Sequence, residues 1–173
     1  MAKETSSVTQ YPVTGKTAAD VYNDIKVHAP KVASNATFAF TMIATKTDKH
    51  EKASAKSCRY DRIKTSAIYN FVIPKHSNPD AMAAKTRVKW VNFVAYLKVH
   101  EEGHRTIWRK CLADYDRGAL GLEAADCKTL DQAREKLLTS LKRKCLAEDE
   151  AYDVRFRKEV LSEPFVAQAL RGK

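Results

Sequence analysis

From Pro79 to about Tyr115 the chain contains no further proline and a single glycine, Gly103. Neither helix breaker is present to end a helix, and Asn78-Pro79-Asp80 supplies a start: a cap, a proline at the first helical position and an acid in the first turn. Phe93, Leu97, His100, His104, Ile107 and Cys111 recur every three or four residues and so share one helical face. The segment Arg117-Gly118-Ala119-Leu120-Gly121 is expected to break this helix. Thr129 or Asp131 then opens a second one, with Ala133, Leu137, Leu138, Leu141, Cys145 and Ala151 toward its partner. It is expected to run to about Val154 or beyond, with Pro164 past its end.

The first half has a different texture. Val8 to Val13 is strand-like, and Thr17 is placed to cap a helix through about Val27, with Ala18, Val21, Tyr22 and Ile25 at helical spacing and Pro30 to end it. Thr37 to Thr45 is rich in β-formers, with Phe38, Phe40 and Met42 alternating to one face. Lys46 to Lys56 reads as a loop or a long hairpin connection. Cys58 to Ile73 reads as one or two strands stopped by Pro74. The expected fold class is α+β: a small, mostly antiparallel sheet with one N-terminal helix, then two long antiparallel helices. One domain over 1–173 is expected, sheet-rich over 1–77 and helical over 78–173.

Composition excludes more than it assigns. A 44% apolar, 30% charged chain is ordinary globular material, not a disordered or fibrous one. No apolar run approaches the roughly 20 residues of a membrane span. Met1 to Ser7 lacks the apolar stretch of a signal peptide, so the chain is expected to be cytosolic or to have lost a signal. Thirty-one basic against 21 acidic residues give a formal charge of +10. Such a surface could meet an anionic envelope component, but the charges form no sustained run with stacking aromatics, so nucleic acid is not the expected partner.

The chemistry concentrates in His100-Glu101-Glu102-Gly103-His104. Histidines four apart on a helix point the same way from successive turns, with room for a zinc ion between them. Glu101, beside the first histidine, can reach a water on the metal and take its proton as that water attacks a carbonyl. Gly103 is expected to leave room beside the helix for substrate backbone. His28, His50 and His76 fall in turns or polar loops and read as surface. A third protein ligand is needed, and no histidine follows His104. A carboxylate is therefore expected from the cluster Glu148, Asp149, Glu150 and Asp153 near the end of the second helix. The reading is a zinc-dependent metallopeptidase acting on a protein or peptide; its rival is a basic protein in which the histidine pair is incidental.

Trp90, Tyr96-Leu97 and His100 to His104 resemble a bacterial family of predicted secreted zinc-dependent proteases, domain of unknown function 922. The likeness extends to Tyr11-Pro12-Val13-Thr14-Gly15, Cys58, Ile73-Pro74, Cys127 and Tyr152-Asp153. It implies a zincin-like fold, export to the periplasm or outside, and Asp153 as third ligand ahead of Glu148, Asp149 and Glu159. It also implies that Tyr152 could donate to the oxyanion. The family's second-helix motif continues with a threonine and then a His-Gly pair, where this chain has Phe156, Lys158 and Glu159. That departure makes a zinc-binding but catalytically impaired envelope module the second expectation.

Cys58, Cys111, Cys127 and Cys145 form no CxxC pair, so a cysteine metal site is not expected. Four free thiols in the cytosol or two disulfides in an oxidising compartment both fit an even count. For an exported chain, helix rise separates Cys127 from Cys145 by roughly 20–25 Å and excludes that bond. With the helix pair turning near residue 122, Cys111 stands far from Cys145. The expected pairing is Cys111–Cys127 with Cys58–Cys145.

Overall fold

The computed structural model describes residues 4–32 and 35–172. Of the amino-terminal stretch read for a signal, Met1, Ala2 and Lys3 lie outside the described residues. The elements follow in the order β1 (Glu4–Val13), α1 (Ala18–His28), β2 (Lys31–Val32), β3 (Asn35–Ala36), β4 (Phe40–Ala53), β5 (Cys58–His76), α2 (Ala84–Leu120), β6 (Glu123–Ala124), α3 (Cys127–Glu159) and α4 (Pro164–Arg171). The architecture is mixed α/β and mostly helical. Among the described residues, no helix is long and apolar enough to cross a membrane.

α1 starts where the sequence indicates. Thr17 accepts from the Asp20 N–H and Asp20 accepts from the Thr17 N–H, which satisfies two otherwise orphaned donors. Strand order is β1-β5-β4, with β6 also on β5. Ser7 and Thr9 both donate to Asn70, and the Ser77 N–H donates to Val13 O, so numbers rise together and β1 lies parallel to β5. β4 and β5 are a hairpin, in which Thr47 meets Thr65 and His50 meets Asp61. The sheet is therefore mixed: β4 and β6 lie antiparallel to β5, as most of the sheet was expected to, while β1 pairs parallel with it.

Several expected boundaries move. Most of Lys46 to Lys56 is not loop: β4 runs to Ala53, and the turn is held by Ser54 and Ser57. Polar side chains do not prevent pairing, since the ladder uses only backbone groups. Phe38 precedes the strand, and Met42 is solvent-exposed instead of sharing the aromatic face. Pro74 lies inside β5. Ser77 turns its N–H toward β1, so by the period of two Pro74 faces the other side, beyond the start of β4, and no ladder bond is lost there. Pro79–Ala81 forms a single 3₁₀ turn without a side-chain cap from Asn78, and α2 begins only at Ala84. α2 continues through Gly118 to Leu120, where the glycine admits Leu137 against the backbone. α3 opens at Cys127, two residues before Thr129, because Asp126 accepts from the Thr129 N–H and hydroxyl.

The chain divides into two compact units, to which β4, β5, α2 and α3 all contribute. One contains Ile43–Ile68 and Arg105–Ala151. Its small cores join Cys58, Tyr60 and Leu130, and Ile63, Tyr115 and Ala119. Its disulfides are Cys58–Cys127 and Cys111–Cys145. These replace the expected Cys111–Cys127 and Cys58–Cys145, while the excluded Cys127–Cys145 bond is indeed absent. The connection after α2 is not a tight turn: β6 pairs Ala124 with Cys58 and so delivers Cys127 to that cysteine. α3 consequently slides along α2, bringing Leu137 to Gly118 and Cys145 to Cys111. Two disulfides point to an oxidising, extracytoplasmic setting.

The other unit contains Ser6–Met42, Tyr69–His104 and the chain from Tyr152 onward. Its core gathers Val13, Val21, Ile25, Ile73, Phe93 and Leu97 with Phe165 and Val166. The last two belong to α4, a helix not anticipated from the sequence. Pro164 begins it, and the Glu163 carboxylate accepts from the Phe165 and Val166 N–H groups. His76, expected at the surface, is buried at the end of β5, between Gly15 O and the Asn78 N–H.

Candidate metal centre

Within the second unit, α2 presents His100 and His104 from successive turns, and α3 presents Tyr152, Asp153 and Phe156. Both histidines are buried, and Glu101 between them has no exposed surface. Asp153 Oδ1 lies 3.1 Å from each histidine Nε2. The two Nε2 atoms are 3.0 Å apart. Each ring nitrogen has one in-plane site, filled by a proton or by a lone pair, so all three contacts of this triangle cannot be hydrogen bonds. A cation between the three atoms would accept all of their lone pairs at once, and these residues could hold one.

The rings are fixed from α3. Tyr152 and Phe156, four residues apart on one helical face, both stack on His100, with centroids at 4.7 and 3.7 Å. Tyr152 also meets His104 edge-on. Gly103 makes this possible: a Cβ there would lie 2.1 Å from Tyr152 Oη. The space expected for substrate backbone is filled by this tyrosine, a correction that explains why a glycine stands mid-helix.

Glu101 is held from the sheet side. Thr41 Oγ1 on β4 donates to Glu101 Oε2 at 2.7 Å, while Oε1 is buried without a protein partner. Burial pushes the Glu101 carboxyl above its ordinary pKa, and Thr41 with the two imidazoles pulls it partly back. Asp153 shows the opposite balance. Burial raises it, but its contacts with His100 and His104 outweigh that and hold it well below the usual carboxylate range. Burial, aided by the Glu101 charge, raises the Tyr152 phenol.

The family model described as bacterial protein of unknown function (DUF922) matches residues 8–159. The chain belongs to this family. No curated protein and no solved structure matches it.

In this DUF922 protein, the structure brings together all five residues singled out in the sequence: His100, Glu101, His104, Tyr152 and Asp153. Of the acids considered for the third position, only Asp153 joins the histidines among the described residues; Glu148 faces Lys110. A second cluster, Glu51 with Cys58 and Cys127, offers no thiolate, since both cysteines are in a disulfide. Two neighbours were not anticipated. Thr41 lies sixty residues from its partner and carries no local signal. Phe156 could have been found from its spacing to Tyr152.

Proposed function

We propose that the chain is a zinc-dependent metallohydrolase of zincin-like type that hydrolyses peptide bonds in the periplasm or outside the cell. The observation that carries this reading is the triangle of His100, His104 and Asp153. Donors on one tetrahedral zinc at about 2.0–2.1 Å stand roughly 3.3 Å from one another, close to the separations found here. Two imidazoles and one carboxylate, with a fourth position left for water, are a catalytic rather than a closed structural set. When bound, the ion supplies Lewis acidity that activates water and polarises a substrate carbonyl. Glu101 takes the proton of the attacking water on its carboxylate and returns it to the leaving amine. Thr41 keeps Oε2 occupied, so that Oε1 is the oxygen available for that transfer. Tyr152, its hydroxyl against Gly103, donates to the oxyanion.

A second reading, a zinc-binding module without catalysis, draws on two observations. Glu101 is wholly buried and Phe156 covers one face of His100, which narrows access for a peptide. Elemental analysis of the purified protein, followed by digestion of a broad peptide library, separates the two. About one zinc per chain with cleavage supports the peptidase, and zinc without cleavage supports the module. No bound metal overturns both.

A further inference from the structure

α2 is apolar on two opposite sides. Its core side carries Trp90, Phe93 and Leu97, all buried. Ala84, Val88, Val91, Ala95 and Val99 follow one another at intervals of four, three, four and four residues. At about 100° per residue they fall within an arc of roughly 80° on the other side. All five are exposed, the valines by 60%, 59% and 70%. Single surface valines are unremarkable, but an unbroken stripe at spacings of three and four is the pattern of a helix that receives another helix. Three valines on a solvated face add nothing to helix propensity, where lysine or glutamate would serve better.

The borders of the stripe identify its partner. Lys85 lies along one edge, and Arg87 and Lys98 lie along the other. Lys85 and Lys98 are exposed and carry no ion pair among the described residues, while Arg87 meets Asp80. No acidic residue occurs between Ala84 and Val99; the first on this line is Glu102, where the stripe ends. A second copy would bring the same cations, and a formal charge of +10, against them. The stripe lacks the tryptophan, phenylalanine or leucine that anchors a helix in a lipid surface, while Ala84 and Ala95 admit a close backbone. The geometry points to a docking surface on α2 for an amphipathic helix of another protein, apolar along its seam and acidic along both flanks. This surface is independent of the metal site and of the hydrolytic reading.

The test uses the full chain and a labelled synthetic peptide of three heptads, with leucine at the seam and glutamate at the flanks. A scrambled peptide of the same composition, a lysine-flanked peptide and anionic phosphatidylglycerol vesicles serve as comparisons. Fluorescence anisotropy is expected to show binding of the glutamate-flanked peptide alone. Binding should weaken at least tenfold in the Val88→Ser/Val91→Ser/Val99→Ser variant, which keeps every charge. The Lys85→Glu/Lys98→Glu variant should shift its preference to the lysine-flanked peptide. Circular dichroism and the thermal unfolding midpoint, both unchanged, would show that the variants fold. The proposal is overturned by absent binding, by equal binding of the scrambled peptide, or by an undiminished serine variant. Vesicle binding without peptide binding would assign the stripe to lipid instead. A dimer that the serine variant abolishes would assign it to a second copy.

Discussion

Removing one corner of the donor triangle should act differently from removing the base beside it. Second-sphere partners of metal ligands typically change affinity by about 10–100-fold, and a ligand itself should count for at least that. His104→Ala is therefore expected to weaken zinc binding about a hundredfold or more. Full zinc retention in that variant would move the site elsewhere. Asp153→Ala should weaken zinc binding more than Glu148→Ala, Asp149→Ala or Glu159→Ala, since Asp153 is the acid that joins both histidines among the described residues. Titration with a competing chelator ranks the four, and a larger loss at any of the other three would displace Asp153. Glu101→Gln leaves these donors in place but removes the proton acceptor. It should retain zinc and lose hydrolysis by roughly 10²–10⁴-fold, the range of general-base catalysis. Undiminished cleavage in this variant would exclude Glu101 as the base.

The contact between α2 and Tyr152 depends on the missing side chain of Gly103. A methyl group there would overlap the tyrosine hydroxyl and ring carbons at 2.1–2.7 Å, so Gly103→Ala must displace Tyr152. A cost of about 1–3 kcal/mol is expected, the usual scale of overpacking. In a Tyr152→Leu background the same change should cost much less, because the two positions share one space. Equal costs in a denaturant double-mutant cycle would refute the contact. The element scale also shows what a sequence conveys. α1 was legible almost to the residue because its capping box and proline are local. The helix pair was legible from periodicity, and with it His100, Glu101 and His104. The reach of β4 into Lys46–Ala53 was not, because a polar strand is stabilised by a ladder to β5 that lies many residues away. α4 is not legible from Pro164 alone, because a proline marks the end of one helix as readily as the start of the next.

At the scale of the whole chain, charge and disulfides set conditions rather than chemistry. Position on the second helix narrows the third ligand to a cluster of acids, and only the resemblance puts Asp153 first among them and adds Tyr152, since nothing local tells which turn of α3 meets His100. The disulfide pairing failed for the same reason: helix rise could exclude Cys127–Cys145, but it could not reveal that β6 draws the α2–α3 connection toward Cys58. Once β6 is placed, the register follows, and both bonds fall in the unit that holds Ile43–Ile68 and Arg105–Ala151. They close loops of 69 and 34 residues, so the chain-entropy model assigns each roughly 4 kcal/mol, with measured values more often 2–4 kcal/mol. Replacing Cys58 and Cys127 by serine should thus lower stability by about 2–4 kcal/mol, and replacing Cys111 and Cys145 should do so by a similar amount. Peptide mapping of non-reduced protein checks the pairing directly. It should recover one peptide pair joining Cys58 to Cys127 and another joining Cys111 to Cys145. Finding Cys111 with Cys127 would mean that β6 does not hold the connection on β5, and the register of the two long helices would shift with it.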